Sequence, residues 1–368
     1  MSVRDRVTLA RVHRTERAAA PAWARYHRSS TWLAATALGV IVIATVSVGI
    51  GSVYIPPLTT LRILLARLPL LSIHADAPST FGTILFEIRL PRVALVALTG
   101  AALASSGTAY QGLFRNPLAD PYLIGVAAGA GLGAISAMTL RMAHPTDVAL
   151  WAVPLGAFAG ALVTVALVYA LARVGSSTPT TTLILAGVAV GAFAAAMTTF
   201  ILLRMGQQMM YVMAFLLGGY SSAGWDAVLA IAPFTVIGFA LMYLCARPLN
   251  LFLFDEEQAR QLGIPVERVK LMIVIAATLT TAAAVAFSGL IGFVGLIVPH
   301  AARFVVGPDH RRLLPLAALG GAGFLMLADL IARTVIAPEE LPLGVVTAFA
   351  GAPFFLYLLR RAKNAAFF

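Results

Sequence analysis

Charge and sulfur are what this chain has least of. Only 11% of its residues are charged, against about a quarter in soluble domains. One cysteine, Cys245, serves the whole length. A single thiol excludes an intrachain disulfide framework and any cysteine-rich metal site, so Cys245 reads as a small apolar filler within a helix. Lysine is nearly as scarce, and neither Lys270 nor Lys363 follows the glycine pattern of a P-loop. The chain therefore cannot hydrolyse ATP through the usual cradle of backbone amides and a lysine. Its six histidines are scattered, with no HExxH and no paired ligand spacing. No GxSxG elbow presents a serine nucleophile. These absences point away from an enzyme and from a resident metal or cofactor.

What remains is apolar: 60% of the 368 residues are hydrophobic. A membrane span needs about 20 mainly apolar residues, and on that rule ten spans are expected. They fall near 32–53, 93–113, 122–141, 149–172, 182–203, 226–246, 269–288, 293–306, 313–336 and 342–359. The eighth is short, and Gly289, Gly292 and Gly295 suggest that the chain breaks before it. A further apolar stretch, 207–218, is too short to span and fits a re-entrant helix. The fold class is thus all-α and polytopic, with residues 1–30 as a basic lead and 31–368 as the transmembrane unit.

Net charge is +11, yet 24 of the 26 basic residues are arginines gathered at segment ends. That distribution speaks for orientation in a membrane and against nucleic-acid binding. With the N-terminus inside, 19 of the 26 fall on the cytoplasmic side and seven on the other. The bias places both termini in the cytoplasm. Residues 1–30 hold seven arginines and no convincing cleavage site, so they read as a cytoplasmic tail lying on anionic lipid or simply setting topology.

Against this background a few polar features stand out. Seven charges crowd into residues 254–270, a patterned island between long apolar runs. A short helix over 255–262 would end at Gly263, as glycine permits, and Pro265 suits the start of the next helix. The island has the form of a handle for a soluble partner. Arg89 and Arg92 flank Leu90-Pro91 on the outer side, against the charge trend, and would either reach lipid headgroups or receive an acidic partner. Asp329 and Arg333 lie four apart and can pair on one helix face. Glycines at spacing four, Gly125, Gly129 and Gly133, read as close helix packing.

Several runs together resemble the iron-chelate/vitamin B12 permease family of ABC importers. They begin with Arg89-Leu90-Pro91-Arg92 and the run from Tyr110-Gln111-Gly112 through Arg115-Asn116-Pro117-Leu118-Ala119-Asp120-Pro121. Arg260-Gln261-Leu262-Gly263-Ile264-Pro265 follows, then Gly289-Leu290-Ile291-Gly292-Phe293-Val294-Gly295, ending in Val298-Pro299-His300. Ala328-Asp329-Leu330-Ile331-Ala332-Arg333 and Leu341-Pro342-Leu343-Gly344 complete the pattern, in order, over residues 85 to 360.

That resemblance implies a bacterial inner-membrane permease of a type II ABC importer, working as a homodimer. Two copies of an ABC ATPase would drive it, and a periplasmic binding protein would deliver the cargo. It implies that Arg89, Arg92 and Arg333 receive glutamates of the binding protein. The segment 254–268 would couple to the ATPase through Asp255, Glu256, Arg260, Gln261, Leu262, Gly263, Ile264 and Pro265. Gates are implied at about 207–218 and 290–300, so Met209, Met210 and Met213 with Gly292 and Gly295 are candidate path residues. His300 belongs to the family motif and reads as structural, not as an iron ligand. The expected cargo is an iron-containing chelate: haem first, then a ferric siderophore or vitamin B12. The rival reading is an ion-coupled secondary transporter, which would want mid-membrane carboxylates; only Asp329 is available.

Overall fold

A chain this apolar must satisfy its backbone groups internally once in lipid, and helices do so segment by segment. The computed structural model describes residues 22–366, apart from 52, 54, 68–77, 144–148, 206–208 and 221–222. Among the described residues there is no strand, only one isolated bridge between Val174 and Ser177. The helices are α1 (Ala22–Gly49), α2 (Pro57–Ala66), α3 (Leu90–Leu113), α4 (Val126–Ala143) and α5 (Ala149–Ala172). They continue as α6 (Thr180–Leu202), α7 (Met209–Leu216), α8 (Trp225–Leu244), α9 (Ala246–Phe252) and α10 (Glu256–Gln261). The last four are α11 (Val266–Ser288), α12 (Val294–Val306), α13 (His310–Thr334) and α14 (Leu343–Ala366). A short turn, Ser79–Thr83, and a π-helical stretch, Ile84–Arg89, lead directly into α3.

Each of the ten expected spans falls on a helix, α12 over the eighth being short at 13 residues. Among the described residues, six helices are long and apolar enough to cross a membrane by length and composition, and α4, α12 and α14 carry shorter apolar segments. Residues 1–21 of the basic lead lie outside the described residues, and α1 begins at Ala22, before the expected span. It stops at Gly49 instead of 53, ahead of Pro56 and Pro57. Two short helices, α2 and α9, were not expected. Both carry proline in the first turn, where its missing N–H is harmless, and both are too short to show an apolar period.

Burial orders the bundle. α11 is its centre, with 78% of its apolar window buried, while α1 and α6 bury only 17% of theirs. α3 is buried almost without interruption from Thr99 to Leu113. Such tight neighbours need small residues at their crossings. A Cβ on Gly100 of α3 would strike the carbonyl of Gly321 on α13, and Gly129 and Gly133 of α4 meet Gly156 and Gly160 of α5 in the same way. The glycine spacing read from sequence is therefore packing. Cys245 is fully buried where α8 ends, as expected of a filler.

Candidate functional site

The polar residues collect at the two opposite ends of the bundle. At one end, Arg89 closes the π-helical stretch and Arg92 opens α3 one turn later. Arg89 is buried and donates Nη1 to the carbonyls of Val48 at 3.0 Å and Gly49 at 2.8 Å, with Nη2 on that of Val53. These include the last carbonyls of α1, which have no helical partner and carry the negative end of the helix dipole. Arg92 spreads its fork over two carboxylates. Nη2 donates to Asp329 at 3.0 Å and to Glu340 at 2.7 Å, and Nη1 adds a second bond to Glu340 at 3.0 Å. Arg333 donates Nε to Asp329 at 2.8 Å and its terminal nitrogens to the carbonyls of Ile50 and Ser47.

The structure thus brings the three arginines together, as the sequence suggested, with Asp329 held between Arg92 and Arg333. Asp329 is 1% exposed, so its charge stands on those two guanidinium partners. Three cations against two carboxylates leave one positive charge in excess. Sequence reasoning missed Glu340, whose half-exposed side chain sits on the loop before α14. It also missed the carbonyls, because no side-chain pattern announces a backbone acceptor.

The other end holds the charged island. Asp255 caps α10, its Oδ1 accepting from the Glu256 N–H at 2.8 Å, and pairs with Arg115 at 3.3 Å. Gly263 closes α10 at φ +81°, a conformation disfavoured for residues with a Cβ. Its N–H bonds back to Arg260 and that of Ile264 to Ala259, the hydrogen-bond pattern of a glycine-terminated helix. Pro265 is the N-cap of α11, one position earlier than a first-turn proline. Arg260 reaches Glu267 at 3.3 Å and Glu257 at 3.7 Å. Gln261 is exposed, and Phe254 and Leu262 are 75% and 69% exposed beside these charges.

Between the ends the chain breaks. α11 stops at Ser288, α12 starts at Val294, and Gly289 and Phe293 both take φ of +70°. The break is tied to its neighbours. The Leu290 N–H bonds to Phe215 at the end of α7, and the Tyr122 hydroxyl bridges both polar groups of Ile291 at 3.0 and 3.1 Å. The start of α14 is tied in the same way, Gly344 to Leu217 at 3.0 Å.

Two open grooves flank the break. One, of about 610 Å3, lies between α7, the break and Phe349 of α14. The second, of about 440 Å3, runs along Gly187 and Gly191 of α6 to Asp120. Gly292 and Phe293 line both. Of the expected path residues, Gly292 is therefore on a groove, whereas Gly295 is packed against the Leu103 carbonyl and Pro121. Met209, Met210 and Met213 are exposed on α7 but line neither groove.

Among the described residues, Asp120 is the one carboxylate on these walls. Burial pushes its pKa up to about 6, against the hydrogen bond that it accepts from the Tyr122 N–H. His300 packs edge-on against Phe304 and Phe354, and among the described residues no cluster of side chains could hold a metal ion.

Among the described residues, the fold is a helical bundle with a broken span and charged clusters at both ends, of the kind that multi-pass membrane proteins form. The FecCD transport family matches residues 39–361, and the chain belongs to that family. It is 48% identical to the cobalamin import system permease of Halobacterium salinarum over 79% of either chain. It is 41% identical to the hemin transport system permease of Yersinia pestis over 76% of this chain and 84% of that one. An inward-facing structure of a metal-chelate type ABC transporter superposes with a TM-score of 0.76 at 27% identity, covering 90% of this chain and 99% of that one. The protein is thus a transport permease of the ABC importer class.

Proposed function

We propose that the chain, paired with a second copy, carries a metal chelate across the bacterial inner membrane. A binding protein would dock at the Arg89, Arg92 and Arg333 end. Two ATPase subunits would act on Asp255 to Pro265 at the other end, in the cytoplasm with both termini. The observation that carries this reading is the break at 289–293. Non-helical backbone at membrane depth is tolerated only where it is covered by protein or lines a water-filled cavity, and grooves flank it on both sides. Asp329, the carboxylate that the sequence offered an ion-coupled transporter, is committed to two arginines, which leaves Asp120 on the smaller groove as that reading's candidate.

Haem and cobalamin are both macrocyclic metal chelates, and each is named for one of the relatives above. The groove walls are almost wholly apolar, so nothing in them separates the two. The greater identity to the cobalamin permease moves cobalamin ahead of haem in this reading, with ferric siderophores third. The test is uptake into vesicles containing the permease, its ATPase and its binding protein, supplied with cyanocobalamin, haemin or a ferric siderophore. ATP-dependent accumulation of one of them is expected. Uptake that ignores ATP and follows a proton or sodium gradient would overturn the proposal.

A further inference from the structure

Lysine is rare in this chain, yet Lys270 is buried at the start of α11 with 5% of its side chain exposed. A buried ammonium must be paired. Its Nζ donates to Glu256 Oε2 of α10 at 2.6 Å and to the Thr178 carbonyl at 3.1 Å, and it lies 3.6 Å from Glu267. Thr178 belongs to the turn between α5 and α6. Its N–H donates to Glu267 Oε2 at 3.0 Å, so both backbone groups of this one residue are gripped. Two residues on, the Thr180 hydroxyl donates to the other oxygen of Glu256 at 3.1 Å. Thr180 is the first residue of α6, and Glu256 is the first of α10.

Lys270 and its two carboxylates therefore join two segments remote in sequence: α10 with the start of α11, and the 173–179 turn with the first turn of α6. A carboxylate beside a helix start is favourable, which suits Glu256 to this position. Burying such a triad adds little net stability, since desolvation offsets the attraction. What it supplies is a fixed register between the parts it joins. α6 carries Gly187, Val188 and Gly191 into the wall of the smaller groove.

We infer that Lys270 is the positioning residue that locks α10 to the base of α6, so that force applied to α10 is delivered to the groove wall. The inference rests on the proposed role of α10 as the contact for the ATPase. It requires that the 173–179 turn and α10 move as one body.

Two measurements on the assembled complex in lipid test it. Spin labels on Ser177→Cys and Glu257→Cys should report one narrow distance that ATP leaves in place. In Lys270→Met the same distribution should broaden. Uptake of cyanocobalamin or haemin per ATP hydrolysed should fall roughly tenfold in that variant, within the usual span of coupling between sites, while hydrolysis persists. Glu267→Gln keeps the side-chain shape and should give a smaller loss, and it carries the test if Lys270→Met does not assemble. A distance that stays narrow, or uptake per ATP that stays at the wild-type level in both variants, would overturn the lock. Gly263→Val separates the two levels. If it uncouples while Lys270→Met and Glu267→Gln do not, only the lock fails; if none of the three uncouples, the coupling role of α10 fails with it.

Discussion

Asp329 shows how one side chain decides what its neighbours can do. It is 1% exposed and holds both Arg92 and Arg333, so removing its charge leaves Arg333 to backbone carbonyls and Arg92 to Glu340 alone. Asp329→Asn should lower stability by about 3 kcal/mol, read as an earlier transition in a detergent denaturation series. Glu340 is half-exposed, and Glu340→Gln should cost less than about 1 kcal/mol. Its larger effect belongs to docking. Glu340 occupies the Arg92 fork that an acidic partner would use, so Glu340→Gln should tighten binding-protein affinity at low salt, and weaker or equal binding would count against docking there. Asp120 behaves differently, because burial raises its pKa from 3.8 to about 6. The folded state then holds the proton more tightly than the unfolded chain, and stability falls as pH rises through that window. Asn caps a helix as well as Asp. Asp120→Asn should therefore flatten the dependence of melting temperature on pH between about 4 and 6, measured as the difference from wild type.

Short elements at the ends of α11 give this bundle its mechanical character. The turn at Gly263 needs a positive φ, and forcing a β-branched residue into it costs roughly 1–2 kcal/mol. Gly263→Val should leave the spans intact while uptake drops and ATP hydrolysis continues, a split read in the same vesicles. The turn was legible in sequence because glycine and proline follow a charged octet, and the break before α12 was legible from its glycines. Spans were legible for a simpler reason: twenty apolar residues admit few other fates. The arginine network was only half legible. Arg89, Arg92 and Arg333 stood out by charge, but their partners are helix-end carbonyls around residue 50 and a carboxylate at 340. Those lie too far away in sequence for any local pattern to connect. Phe293 escaped notice altogether, since a phenylalanine at positive φ leaves no compositional trace.

For the whole molecule, the broken span dictates which face can meet lipid. α12 has 13 residues, about 20 Å of helix, against a hydrocarbon core of about 30 Å. The break that precedes it leaves backbone outside any helix, and lipid cannot satisfy it. Where α7 and Tyr122 do not cover it, that face must therefore look onto water or other protein, which in the proposed reading is a second copy of the chain. By contrast, α5 and α8 can present their open apolar side chains to lipid. Phe349 on the larger groove is 77% exposed, and Val163 on α5 is 67% exposed; exposure alone does not distinguish them. A membrane-impermeant maleimide should. With Cys245 fully buried as a silent background, Phe349→Cys should label in intact vesicles of at least one orientation, and Val163→Cys should not. Bound cobalamin or haemin should slow labelling at 349 if the groove is the path. Equal labelling at the two positions would remove the distinction between path and lipid face, and with it the assignment of the second copy to the groove side.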